Sequence, residues 1–195
     1  RPVVLAAVTR EGEEAGLLAA WAGLPVPRPL LLLVPRHPQR FDEVAALAAG
    51  AFPIALRRSV WTGLPPPSAA QADVWIGDSI GEMPLYYGMA DAALLGGSFA
   101  PLGGQNLIEA AACGCPLVMG PHTFNFATAA ELSIAAGAAE RAADFADGVA
   151  RAVAMAVDPR RQQRVQAALQ FAAEHRGAAE RVAEQVGALL DAAGR

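Results

Sequence analysis

Apolar residues along the 195-residue chain fall into two alternating patterns. Short, uniformly apolar runs occupy residues 3–8, 30–34, 53–56, 74–77, 92–95 and 116–119, with a briefer one at 138–140. They lack the apolar–polar alternation of a strand with one wet face, so both faces must be covered, as in a parallel sheet between two helical layers. Between them lie alanine-rich stretches with helical spacing at residues 12–24, 38–49, 82–89, 105–114, 125–136 and 144–157. This alternation predicts an α/β domain, a Rossmann-like doubly wound parallel sheet, over residues 1–158. From residue 159 to 195 the strands stop. Two C-terminal helices are expected there, broken near Gly177, with Val165, Leu169, Val182, Val186 and Leu189 as apolar positions. They should pack across the lobe or reach toward a neighbouring one. Residues 57–71, with Pro65, Pro66 and Pro67, read as a surface loop.

Ligands of doubly wound sheets collect at the carboxyl ends of the strands. Polar or glycine-rich stretches follow five of the predicted strands. They are Thr9-Arg10-Glu11-Gly12-Glu13-Glu14, Pro35-Arg36-His37-Pro38, Gly77-Asp78-Ser79-Ile80-Gly81-Glu82-Met83, residues 96–109, and Gly120-Pro121-His122-Thr123-Phe124-Asn125-Phe126. The stretch 96–109 is the most informative. Its glycine pairs, Gly96-Gly97 before Ser98 and Gly103-Gly104 beyond it, let backbone approach a ligand. Freed amides and the following helix N-terminus then point at an anion. Asn106 and Glu109, three apart on the first helical turn, face one mouth and can hydrogen-bond sugar or ribose hydroxyls.

The remaining candidates each carry two readings. Arg36, in a turn stiffened by Pro35 and Pro38, suits a phosphate or carboxylate, or else caps a helix. His37 contacts a ligand or bonds backbone. Ser79 and Glu82 fit a capping box, compatible with binding because Gly81 leaves amides open to a base or sugar. His122 is a structural or a binding residue. Glu13 and Glu14 form an acidic first helical turn, or orient hydroxyls. Asp78 and Asp91 read as structural turns.

Composition narrows the classes. With 54% hydrophobic and 17% charged residues, the chain can bury a core. A net charge of -4 and a pI near 5.4 give no support to a nucleic-acid partner. All 15 basic residues are arginine. Cys113 and Cys115 lack histidines at zinc spacing and read as small core residues of a cytosolic protein, so no metal is expected. No Ser-His-Asp set or Walker loop is present, and no G-x-G-x-x-G follows the first strand, which argues against an NAD oxidoreductase. Apolar runs such as residues 30–34 are far shorter than a membrane span, so this lobe should be soluble. Val3 opens a strand directly behind Arg1-Pro2, as expected of one lobe of a larger protein.

Together these loops resemble the Kdo transferases, which move 3-deoxy-D-manno-octulosonic acid from CMP-Kdo onto lipid A precursors. The likeness runs in order from residue 3 to about 132, and the stretch from Gly120 to Phe126 is the most specific. The C-terminal helices resemble the family only in pattern. The resemblance implies the C-terminal, donor-binding lobe of a two-lobed GT-B glycosyltransferase of lipopolysaccharide biosynthesis. It implies nucleotide-sugar contacts at Pro35, Arg36, Gly81, Glu82, Met83, Gly97, Ser98, Gly104, Asn106, Leu107, Ile108, Glu109 and His122. Arg10 and Gln105 depart from it, standing where histidine is usual. The general base of the family is a glutamate of the N-terminal lobe, so this lobe should bind donor without turning it over. A monophosphate leaving group needs only helix amides and an arginine, hence no cofactor and no metal. The acceptor, a lipid A precursor, would be met through the other lobe, at the cytoplasmic face of the bacterial inner membrane. The alternative is the donor lobe of a GT-B enzyme that uses a UDP-sugar, a transferase or a 2-epimerase. A module that only binds is a further possibility.

Overall fold

The computed structural model describes residues 1–175 and Val186. The second predicted C-terminal helix, with Val182 and Leu189, lies outside the described residues. The strands are β1 (Val3–Thr9), β2 (Leu30–Pro35), β3 (Ala55–Arg57), β4 (Val74–Ile76), β5 (Ala92–Leu95), β6 (Leu117–Met119) and β7 (Ala139–Arg141). The helices are α1 (Glu14–Ala22), α2 (Phe41–Ala51), α3 (Met83–Met89), α4 (Ile108–Ala112), α5 (Ala127–Ala135), α6 (Phe145–Val157) and α7 (Arg161–Glu174). All strand pairs are parallel, in the order β3-β4-β2-β1-β5-β6-β7. The order reverses between β1 and β5, so the crevice of the doubly wound sheet opens at their carboxyl ends.

Side chains of successive strand residues leave on opposite faces, which divides the core in two. Leu5, Ala7, Leu32, Leu95 and Met119 face one way and meet Tyr87 of α3, Ala110 of α4 and Phe171 of α7. Val4, Ala6, Leu31, Leu33, Leu94 and Val118 face the other way, against Leu17 and Trp21 of α1, Val44 of α2 and Val149 and Met155 of α6. Leu31, Leu32 and Leu33 are each at most 1% exposed, so both faces of β2 are covered, as its unbroken apolar run requires. Burying one such leucine contributes roughly 1.5–3 kcal/mol.

The helices keep their predicted places but not every detail. α4 is confined to Ile108–Ala112, because Gly103 and Gly104 take left-handed backbone at φ 87° and 81° and hold the chain off a helical path. The predicted capping box at α3 does not form. The Ser79 hydroxyl bonds the Glu82 carboxylate and the Tyr86 hydroxyl instead, and the helix N-cap has no side-chain acceptor. α6 does have one, the Asp144 carboxylate accepting from Asp147 N–H at 2.9 Å. Among the described residues no helix is long and apolar enough to cross a membrane.

Candidate functional site

At the carboxyl end of β1 the chain departs from regular strand. Its register with β2 shifts between Ala6 and Thr9, and Val8 lies at φ 51°. Left-handed backbone at a β-branched residue costs on the order of 1–3 kcal/mol and persists only where its surroundings over-determine it. Two features do so here. Gly96, just past β5, packs so closely beneath the bulge that a Cβ would strike the Val8 carbonyl oxygen. That Cβ would also lie 2.7 Å from Ala7 O and Thr9 Cα.

The second feature is Glu13, whose side chain is fully buried. Its Oε2 accepts from Arg10 N–H at 2.9 Å and Gly97 N–H at 2.7 Å, and its Oε1 from Phe99 N–H at 3.1 Å and Ala100 N–H at 3.2 Å. All of its roughly four acceptor sites are occupied by backbone. Glu14 is engaged through one oxygen: its Oε1 accepts from Thr9 Oγ1 at 2.8 Å and Arg40 Nη1 at 2.7 Å. The helical reading of the pair holds, since Glu13 is the N-cap of α1 and Glu14 an acidic residue of its first turn. The reading in which they orient ligand hydroxyls is corrected: the two carboxylates line no mouth, and they pin the loops behind the crevice.

Ser98, Gly97 and Gly104 belong to the same buried frame. The Ser98 hydroxyl donates to Leu95 O and accepts from Gly120 N–H at 2.8 Å. Its carbonyl accepts from His122 N–H at 2.9 Å, and Gly104 N–H donates to Gly97 O at 2.7 Å. These interactions tie the β5, β6 and α4 loops together, and none of Gly97, Ser98, Gly104 and His122 lines the cleft in front of them.

That cleft has a volume of about 380 Å³, within the size range of small-molecule sites. Pro35, Arg36, Gly81, Met83, Asn106 and Glu109 line it, bringing together side chains from the loops after β2, β4 and β5. Arg36 is exposed, with its N–H held by Thr9 O at 2.9 Å. Among the described residues its guanidinium forms no ion pair, so it caps no helix. Asn106 has one of its acceptor sites occupied, since Oδ1 accepts from Ile108 N–H at 3.0 Å. Its N–H₂ group and the second lone pair of Oδ1 remain for a ligand. That bond, and the five-residue length of α4, leave little helix-terminal field for an anion, so the guanidinium of Arg36 must carry that task.

The other predicted residues sit outside the cleft lining. Leu107 is fully buried and Ile108 packs on the core. The Glu82 carboxylate faces Ser79, Tyr86 at 2.8 Å and Arg58 at 2.8 Å. The Ser79 and Tyr86 hydroxyls, then Arg58, hold it below the usual range, while burial pushes the Tyr86 phenol up to about 12. Asp78 is structural, accepting from Ser59 N–H at 2.8 Å and Arg57 Nε at 2.6 Å. Burial raises its carboxyl, but the Ser59 and Arg57 donors outweigh this and leave it lowered. Val8, Phe41 and Tyr87 line the cleft without having been singled out. An apolar residue at a strand end or on a helix carries no sequence signal that separates cleft from core. Among the described residues no group of three His, Cys, Asp or Glu side chains is placed to hold a metal ion.

The Glu109 carboxylate has no hydrogen-bond partner among the described residues and lines the cleft, so its role is separable by one substitution. Glu109→Gln is expected to weaken cytidine and CMP binding by roughly 1.5–3 kcal/mol, the value of hydrogen bonds to a charged group. A carboxylate that only offset the α4 dipole would instead lose a few tenths of a kcal/mol in a thermal melt and leave the titration unchanged.

No family model matches the chain. Its architecture is that of a GT-B glycosyltransferase lobe. WaaG, a glycosyltransferase involved in lipopolysaccharide biosynthesis, shares the fold at a TM-score of 0.55 and 18% identity, over 88% of this chain and 42% of that one. The C-terminal CMP-Kdo binding domain of WaaA from Acinetobacter baumannii matches at a TM-score of 0.79 and 34% identity, over 88% of this chain and 89% of that domain. The 3-deoxy-D-manno-octulosonic acid transferase of Bordetella pertussis is 51% identical over 187 residues, which are 93% of this chain and 43% of the relative. The chain belongs to the Kdo transferase family, as its C-terminal domain. It spans less than half the length of the curated relatives it matches.

Proposed function

We propose that this chain is the donor-binding domain of an enzyme that transfers Kdo from CMP-Kdo to a lipid A precursor in lipopolysaccharide biosynthesis. The observation that carries the reading is Arg36, a guanidinium without an ion-pair partner among the described residues, in a cleft of nucleotide size that it shares with Glu109. Arg36 takes the phosphate, Glu109 and the Asn106 amide take ribose hydroxyls, and the turn at Gly81 and Met83 borders the base. In an inverting transfer the acceptor hydroxyl attacks the anomeric carbon, the bond from that carbon to the phosphate oxygen breaks, and CMP leaves. Charge–charge hydrogen bonding to Arg36 stabilises the departing phosphate, without a metal or other cofactor.

A base must stand beside the acceptor hydroxyl. Glu13, Glu14 and Glu82 are already engaged by backbone, hydroxyl and arginine donors, and Glu109 is assigned to the ribose. Membership of the family implies that the base and the acceptor belong to an N-terminal lobe of the same protein, which works at the cytoplasmic face of the bacterial inner membrane, and that the present domain binds donor without turnover. Arg36→Ala is expected to weaken CMP by roughly 1.5–3 kcal/mol, about ten- to hundredfold in Kd, with an unchanged melting temperature because the side chain holds nothing else. Unchanged affinity would remove Arg36 from the site and the reading with it.

A further inference from the structure

Twelve arginines lie among the described residues, and ten of them are engaged through their guanidinium groups by carboxylates or backbone carbonyls. The two left over are Arg10 and Arg36. They are neighbours in space. Thr9 of β1 pairs with Pro35 of β2, and Thr9 O accepts from Arg36 N–H at 2.9 Å. The backbones of adjacent strands lie about 4.8 Å apart, so Arg10 and Arg36 follow paired positions of neighbouring strands at the mouth of the crevice, Arg36 in the cleft lining and Arg10 just outside it. Two such cations, neither with a counter-ion among the described residues, attract anions. Arg10 is also held in place: its N–H donates to Glu13 Oε2 at 2.9 Å, and the same oxygen accepts from Gly97 N–H.

Two unpaired cations on neighbouring strands suit a ligand with two neighbouring anions. In the nucleotide ester of a 2-ulosonic acid, the anomeric carbon carries the phosphate and the sugar carboxylate together, so the two charges are one carbon apart. An aldose nucleotide has no carboxylate there. We propose that Arg10 and Arg36 form a two-guanidinium clamp in which Arg36 binds the phosphate and Arg10 the carboxylate of the donor sugar, so that Arg10 selects ulosonic acid donors over aldose nucleotides. The clamp rests on the donor-binding reading above and deepens it.

The test titrates the full chain, wild type and Arg10→Gln, with CMP and with freshly prepared CMP-Kdo by calorimetry. The wild type should bind CMP-Kdo at least tenfold more tightly than CMP. Arg10→Gln should lose that preference, holding CMP within twofold of the wild type, and Arg10→Lys should retain most of it. Equal loss of both ligands, or of neither, in Arg10→Gln overturns the clamp while leaving the donor site standing. A wild type that binds neither ligand overturns both.

Discussion

Glu13→Ala is expected to lower stability by about 3–5 kcal/mol, the usual penalty for breaking a buried charged network. The carboxylate is the acceptor for the amides of Arg10, Gly97, Phe99 and Ala100, and the alanine would leave all four without a partner. Each buried donor so orphaned costs about 1–3 kcal/mol, and local rearrangement recovers part of the sum. For a chain of this length the loss corresponds to a melting temperature lower by on the order of 10 °C. Glu13→Gln should fall close to it, because the new amide would turn an N–H₂ group toward two backbone N–H donors. The wild-type melting temperature in Glu13→Ala would show that the loops after β1 and β5 hold themselves without the carboxylate. CMP affinity should fall with stability, since Val8 and Asn106 reach the cleft from the segments that Glu13 joins.

Gly96→Ala is expected to be comparably damaging, by more than about 3 kcal/mol, for a reason of shape alone. The added methyl would meet the Val8 carbonyl oxygen and crowd Ala7 O and Thr9 Cα. These are backbone atoms of the central strand, and no rotamer change can move them aside. The control is Gly50→Ala in α2, where a Cβ meets nothing within 4 Å. There the substitution should gain about 0.5–1 kcal/mol through helix propensity. Parallel melts of the two variants check both expectations. Equal melts would mean that β1 and β5 can separate at the bulge without consequence.

The sheet was legible in the sequence because its strands are buried on both faces, a condition that forces unbroken apolar runs. The convergence of five loops on one edge followed from the topology of such a sheet. What each polar residue does there was less legible. Glu13 resembles an acidic first helical turn until Gly97, 84 positions away, is seen to donate to it. Ser98 looks like a loop hydroxyl, but its partners are Leu95 O and Gly120 N–H. Left-handed backbone at Val8 contradicts its own propensity, so no local rule could have found it. The Pro35-Arg36-His37-Pro38 turn was readable because its stiffness is written in the sequence, whereas Phe41 and Tyr87 were hidden among ordinary core residues.

Titration of the chain with CMP and with UMP, followed by nucleotide-induced NMR shifts, tests the central claim most directly. CMP should bind weakly, in preference to UMP, with amide shifts at Arg36, Gly81, Asn106 and Glu109 around the cleft. No response to CMP at millimolar concentration, an equal response to UMP, or shifts confined to other surfaces would contradict it.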